Sequence, residues 1–168
     1  MAFESVTDEK IAELIAVPKQ VMNPGARPKA KDGREQYNYK LKASGNEEYE
    51  YEFELYTRQN LREGMENDFS CGISWIAPNG EGLTFKRYNG PSHNHLNHLE
   101  RAKIGYACHI HTATAKYIKA NRKAEGYAEA TDRYNSLRGA LHCLVGDCNI
   151  SGLKTEPDQT KQTERSTP

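Results

Sequence analysis

The chain reads as an α+β protein. It should carry an antiparallel sheet of four to five strands, with a short N-terminal helix and a long C-terminal helix packed on the apolar face. Three observations predict this class. Apolar and polar residues alternate over residues 37–41, 49–55 and 69–77, the period of a half-buried strand. From Tyr127 onward, Tyr127, Ala130, Tyr134, Leu137, Leu141, Leu144 and Cys148 are spaced by three and four, the period of one helix face. The order, with strands first and the long helix last, suits a sheet covered on one side. One domain is expected over residues 1–150, and residues 151–168 are expected to form a disordered tail because they carry almost nothing apolar to bury.

Taken in order, residues 5–17 suit a helix. Thr7 is a good N-cap, Asp8 and Glu9 complement the positive end of the dipole, and Ile11, Leu14 and Ile15 make one apolar face. Pro18 ends it. Residues 20–34, rich in proline, glycine and basic side chains, read as a connection. Tyr37, Tyr39 and Leu41 then alternate with Asn38, Lys40 and Lys42, and Tyr49, Tyr51, Phe53 and Leu55 with Glu50, Glu52 and Glu54. Antiparallel pairing would set those glutamates beside the lysines. A third strand carries Phe69, Cys71, Ile73 and Trp75, the turn Pro78-Asn79-Gly80 follows, and residues 83–88 return as a fourth. Residues 106–112 supply a fifth. The basic, alanine-rich segment around Lys116, Lys119, Arg122 and Lys123 precedes the long helix.

Composition excludes several classes. With 23 basic and 23 acidic residues, no global field drives the chain to nucleic acid or to an anionic membrane. No apolar run reaches the length of a membrane span. The opening MAFESVTDEK is acidic where a secretion signal needs a basic start and an apolar stretch, so a cytoplasmic location is expected. The cysteines Cys71, Cys108, Cys143 and Cys148 form no CxxC pair and read as reduced, small hydrophobes. A zinc site built on Cys143, Cys148 and a histidine is the alternative.

Chemistry concentrates in residues 85–112, FKRYNGPSHNHLNHLERAKIGYACHIHT. These hold five of the six histidines. In a strand, His109 and His111 share one face and leave Cys108 and Ile110 on the other. His93, His95 and His98 follow a Gly-Pro turn and read as loop residues. Three chemistries use such pairs. A divalent metal could be held by His109 and His111 with a loop histidine, or by His93, His95 and His98. The run His93-Asn94-His95-Leu96-Asn97-His98 resembles the HxHxDH signature of the metallo-β-lactamase fold, with Asn97 where that family has aspartate. Metal-free phosphodiester cleavage would use His109 and His111 as base and acid, assisted by Arg87 and Tyr88, with Lys86, His93, His95 and His98 binding substrate. No cofactor is needed for that reaction. A Cys108-His109 nucleophile fails, because neighbours in a strand face apart. Solvated surface histidines are the structural alternative to all three.

Several stretches resemble small uncharacterised bacterial families. Residues 7–19, TDEKIAELIAVPK, are similar to the short N-terminal helix ending in Pro-Lys of one such family. Residues 54–60, ELYTRQN, resemble its strand, and Asp147-Cys148-Asn149-Ile150 its helix end. FKRYNGPSHNH at 85–95, followed by CHIH at 108–111, is similar to the Arg-Tyr-Asp-Asn…Pro-His-x-His pattern of TumE-type toxins of toxin–antitoxin loci. Here Asn89-Gly90 replaces Asp-Asn, and Cys108 replaces the proline before His109. The resemblance implies a toxin-like or phage-defence-associated protein and no particular reaction. With the paired histidines, the leading expectation is RNA cleavage through His109 and His111 with Arg87 assisting, and a protein partner, an antitoxin or a host target, is expected. The competing expectation is a non-catalytic binding module, an antitoxin-like partner or an inhibitor of a host defence protein, acting through the acidic strand face.

Overall fold

The computed structural model describes residues 3–46 and 49–158. Sheet dominates it. In chain order the elements are α1 (Asp8–Ala16), β1 (Lys19–Val21), β2 (Lys29–Lys31), β3 (Arg34–Asn46), β4 (Tyr49–Asn60), β5 (Phe69–Ile76), β6 (Gly82–Asn89), β7 (His95–Asn97), β8 (Ala102–Gly105), β9 (His109–Thr112), α2 (Ala115–Lys119), β10 (Ala128–Ala130), α3 (Leu137–Asp147) and β11 (Ile150–Ser151). The main sheet runs β10-β9-β6-β5-β4-β3-β1-β11, with β2 paired to β3. β7 and β8 form a separate hairpin.

The expected sheet of four to five strands is therefore too small. β3 through β6 form the meander that the alternation predicts, with Lys40 opposite Glu54 and Lys42 opposite Glu52. The extra strands are short pieces of two or three residues, β1, β2, β10 and β11. Segments that short carry no readable period.

The long C-terminal helix is also corrected. Only Leu137–Asp147 is helical. Ser136 is its N-cap, its side chain accepting from the Gly139 amide. Upstream, Ala128, Glu129 and Ala130 pair with His111, Ile110 and His109 as an edge strand. Tyr134 belongs to the apolar stripe and is buried, yet it lies in a loop. Its hydroxyl donates to the carbonyls of Asn89 (2.8 Å) and His109 (3.0 Å). A spacing of three and four thus spans a strand, a loop and a helix. Leu141, on the same stripe, is half-buried, while Ala140 and Leu144 are fully buried.

Part of the expected tail is placed too. Ser151 pairs with Gln20, Thr155 contacts His142 Nδ1 at 3.0 Å, and Asp158 accepts hydrogen bonds from Asn135 N and Ser136 Oγ. A side chain at Gly139 would collide with that Asp158 carboxylate. Residues 159–168 lie outside the described residues.

α1, capped by Thr7, and α3 cover one face of the sheet, where Leu14, Phe53, Ile73, Phe85 and Leu144 form the core. The other face carries the histidines. Among the described residues, no helix is long and apolar enough to cross a membrane.

Candidate metal centre

A bulge in β6 decides which side chains meet. The register of β5 against β6 shifts between Ile73 and Ser74: Ser74 faces Thr84, while Ile73 faces Lys86. The extra residue is Phe85. Simple alternation from Leu83 and Phe85 would put Arg87 into the core. The additional residue re-aims everything after it. Lys86 and Tyr88 consequently share the core face with Ile73 and Cys71. Arg87 and Asn89 turn to the opposite face, directly across β9 from His111 and His109.

His109 and His111 are buried, at 0% and 1% exposure. Cys108 and Ile110 pack against the core on the other side. His95 joins them from β7. Asn97 holds that hairpin in place: its Nδ2 donates to the Ala128 carbonyl at 2.8 Å, and its Oδ1 accepts from the Ala128 amide at 2.9 Å. The imidazoles of His95, His109 and His111 contact one another with ring centroids 4.7–5.3 Å apart. One ring nitrogen from each lies within 4.8 Å of those of the other two, so the cluster could hold a metal ion.

Hydrogen bonding fixes the tautomers. His109 Nδ1 lies 2.8 Å from the Ala107 carbonyl, and His111 Nδ1 lies 2.7 Å from the Glu125 carbonyl. A carbonyl only accepts, so both Nδ1 atoms carry the proton and both Nε2 atoms present lone pairs. His95 is reversed. Its Nε2 approaches Asn97 Oδ1 (3.0 Å) and the Gly126 carbonyl (3.1 Å), which leaves Nδ1 as its free lone pair. An imidazole oriented by a backbone or amide acceptor on one nitrogen, with the other free, is the usual state of a metal ligand.

Burial favours the neutral form of His109 and His111. Burial, and then the Arg87 charge, pushes the His111 pKa down to about 2. Burial also lowers His109, although the Ala107 carbonyl favours its charged form. The His93 ring packs edge-on to His109 at 5.2 Å, and its pKa is lowered by the partial burial of that contact and then by His95 and Arg87. Neutral imidazole is the form that binds metals.

Arg87 borders the cluster. Its Nη2 lies 3.4 Å from His111 Nε2, and its Nη1 lies 3.6 Å from Glu125 Oε2. Its Nε is buried and has no hydrogen-bond partner among the described residues. Glu125 also lines a cavity of about 610 Å³, together with Lys119, Arg122, Lys123, Glu4 and Glu81.

The structure thus brings His109, His111, Arg87, His95 and His93 together. It separates Tyr88 and Lys86, which lie beyond the sheet: the Tyr88 hydroxyl donates to Asp147, and Lys86 Nζ contacts Thr112 Oγ1 at 3.1 Å. His98 is exposed in the β7–β8 turn, so the three-residue cluster is not His93, His95 and His98. Cys143 and Cys148 join no histidine in a metal-sized cluster among the described residues. Sequence reasoning missed Asn89, Asn97 and Glu125. The alternation His95-Leu96-Asn97 was the available signal for one of them.

Comparison of the chain with family models, with curated proteins and with solved structures finds no match.

Proposed function

We propose that this protein is a divalent-metal-dependent phosphodiesterase that cleaves RNA, acting as a toxin-like or defence-associated protein. His95, His109 and His111 hold the ion. The observation that carries this reading is the convergence of three imidazoles, each with one ring nitrogen committed to an acceptor. Imidazole donors suit zinc, iron, nickel or copper. Such an ion polarises a phosphoryl oxygen and lowers the pKa of bound water. Arg87 supplies the second positive group. With an ion held by the histidines, the Arg87 guanidinium, whose Nη1 lies 3.6 Å from Glu125 Oε2, would offer its charge to an anionic oxygen of the substrate, an arrangement that stabilises developing charge. Lys119, Arg122 and Lys123, which line the cavity beside Glu125 together with Glu4 and Glu81, offer contacts to phosphate, and RNA is the substrate that the paired-histidine chemistry suggests.

Metal-free acid–base cleavage is supported less well. It needs one imidazolium as general acid, and the fall of the His111 pKa to about 2 opposes that charge. The binding-module alternative rests on Glu50, Glu52 and Glu54. Glu52 and Glu54 already face Lys42 and Lys40 across the strand pair.

The test is cleavage of single-stranded RNA by purified protein with zinc or manganese. Activity lost with chelator, restored by the ion and absent from His111→Ala is expected. Cleavage that survives complete metal removal would return the pair to acid–base chemistry. Toxicity that is retained in the His109→Ala, His111→Ala double variant would point to the binding module.

A further inference from the structure

We infer that Asn89 is the fourth ligand of this centre, through its side-chain oxygen, and that binding is coupled to a half-turn of its amide. The inference rests on the metal-site reading above. Asn89 is buried, directly across from His109, and its terminal Nδ2 lies 3.5 Å from His109 Nε2 and 3.5 Å from His111 Nε2. Those distances are long for N–H···N hydrogen bonds, whose usual value is about 3.0 Å. They suit co-ligands: donors about 2.0–2.1 Å from a tetrahedral ion stand roughly 3.3–3.4 Å apart. One end of the Asn89 amide therefore already occupies a ligand vertex relative to two histidines.

Which end faces the site depends on the partners of the other. Asn89 Oδ1 now accepts from Ser70 Oγ at 2.7 Å, and Ser70 Oγ in turn lies 2.8 Å from the Tyr56 hydroxyl. Both members of that chain are hydroxyls, each able to donate or accept. If the amide turns over, Nδ2 donates to Ser70 Oγ and the Ser70 hydroxyl donates to the Tyr56 oxygen. Both hydrogen bonds of the Tyr56–Ser70–Asn89 chain are kept, and each reverses direction. Without an ion, the amino end faces two lone pairs, which is favourable. With an ion, the carbonyl oxygen faces it, which is also favourable. The Tyr56 ring is admitted to this chain by Gly72, where a side chain would come within 2.9 Å of Tyr56 Cε1.

The resulting donor set is three imidazoles and one amide oxygen, all neutral. The ion keeps its full double charge, which sharpens its Lewis acidity and its attraction for a phosphodiester. The oxygen donor also widens the accepted ions toward harder ones such as manganese.

The test is Co(II) titration of the full chain followed by visible absorption, with zinc competition to obtain Kd. Wild type is expected to bind. Asn89→Ala should weaken binding by on the order of 100-fold, the scale at which outer-shell changes end, and should change the visible spectrum. Asn89→Asp separates the roles should the alanine variant fail to fold. A carboxylate cannot donate to a histidine but coordinates well, so tighter Co(II) binding is expected. Weaker binding in Asn89→Asp, or an unchanged Kd and spectrum in Asn89→Ala, overturns the assignment while leaving the three-histidine site intact. Wild type that binds neither Co(II) nor zinc overturns the metal reading and this inference together.

Discussion

Two polar groups lie buried on opposite faces of the same sheet, and they are finished differently. On the core face, Lys19 is 2% exposed, and its ammonium donates to the carbonyls of Ile15 (2.9 Å), Val17 (2.9 Å) and Cys148 (2.7 Å). An ammonium has three donors, and all three are used. The site ties the end of α1 to the end of α3 and has no capacity left for a ligand. On the other face, His109 and His111 satisfy their N–H groups with carbonyls, but among the described residues their lone pairs meet Asn89 and Arg87 at the long distances of 3.4–3.5 Å. Burial with every valence satisfied is what a fold needs. Burial with acceptors left converging on one another is costly unless something else binds them.

The largest effect that would sharpen this contrast is at the histidines. His111→Ala should reduce metal affinity by more than about 100-fold, the upper end of what outer-shell changes cost. RNA cleavage should fall with it, while the thermal midpoint without metal stays near wild type. Calorimetric zinc titration and a melting curve on the same sample check this. A variant that unfolds but binds metal normally when folded would show that His111 is a core residue like Lys19.

Lys19→Met should act in the opposite sense. It leaves three carbonyls without their donor, and we expect a loss of about 2–4 kcal/mol, read by chemical denaturation, with metal affinity unchanged. Lys19 also has a pH signature. Burial lowers its pKa from 10.5 to about 8, so between those values the unfolded chain binds more protons. Stability should rise as pH goes from about 8 toward 10.5, and the methionine variant should lack that rise.

At acid pH the histidine cluster should dominate. The His111 pKa is about 2 in the folded state and near 6.5 when unfolded. Its contribution is complete above 6.5 and is lost as pH falls from there toward 2. Stability of the metal-free protein measured from pH 7 to 4 should decline less steeply in His111→Gln than in wild type. Parallel curves would mean that His111 does not titrate with folding.

What could be read in the sequence follows from which of these features are local. The pairing of His109 with His111 needs only the two-residue period of one strand. So does the meander of β3 to β6, because each strand is long enough to show its alternation. The choice between Arg87 and Tyr88 depends on the bulge at Phe85, and a single inserted residue leaves no mark in composition. His95 reaches the site through Asn97, whose partner Ala128 is 31 residues away. The expected C-terminal helix failed because Tyr134 is held by carbonyls of Asn89 and His109, distant bonds that keep it out of a helix. The caps were local all along: Asn135-Ser136 marks a helix start in the middle of the apolar stripe.

The smallest expected effect tests the bulge itself. Alternation before the bulge would have placed Tyr88 with the histidines; after it, the phenol lies on the core face. Tyr88 is fully buried, its hydroxyl donates to Asp147, and burial pushes its pKa far above the ordinary tyrosine range. It stays protonated and cannot exchange protons with a substrate on the far side of the sheet. Tyr88→Phe removes one hydrogen bond from an Asp147 that keeps its Arg133 partner at 2.9 and 3.0 Å. The cost should be about 1 kcal/mol, with RNA cleavage and Co(II) affinity unchanged. Arg87→Ala, one residue earlier, should lower cleavage by about 100-fold through loss of charge stabilisation while leaving Co(II) bound. If instead Tyr88→Phe cut cleavage tenfold at an unchanged melting temperature, the phenol would have to reach the histidine face, and the register of β5 on β6 would be wrong.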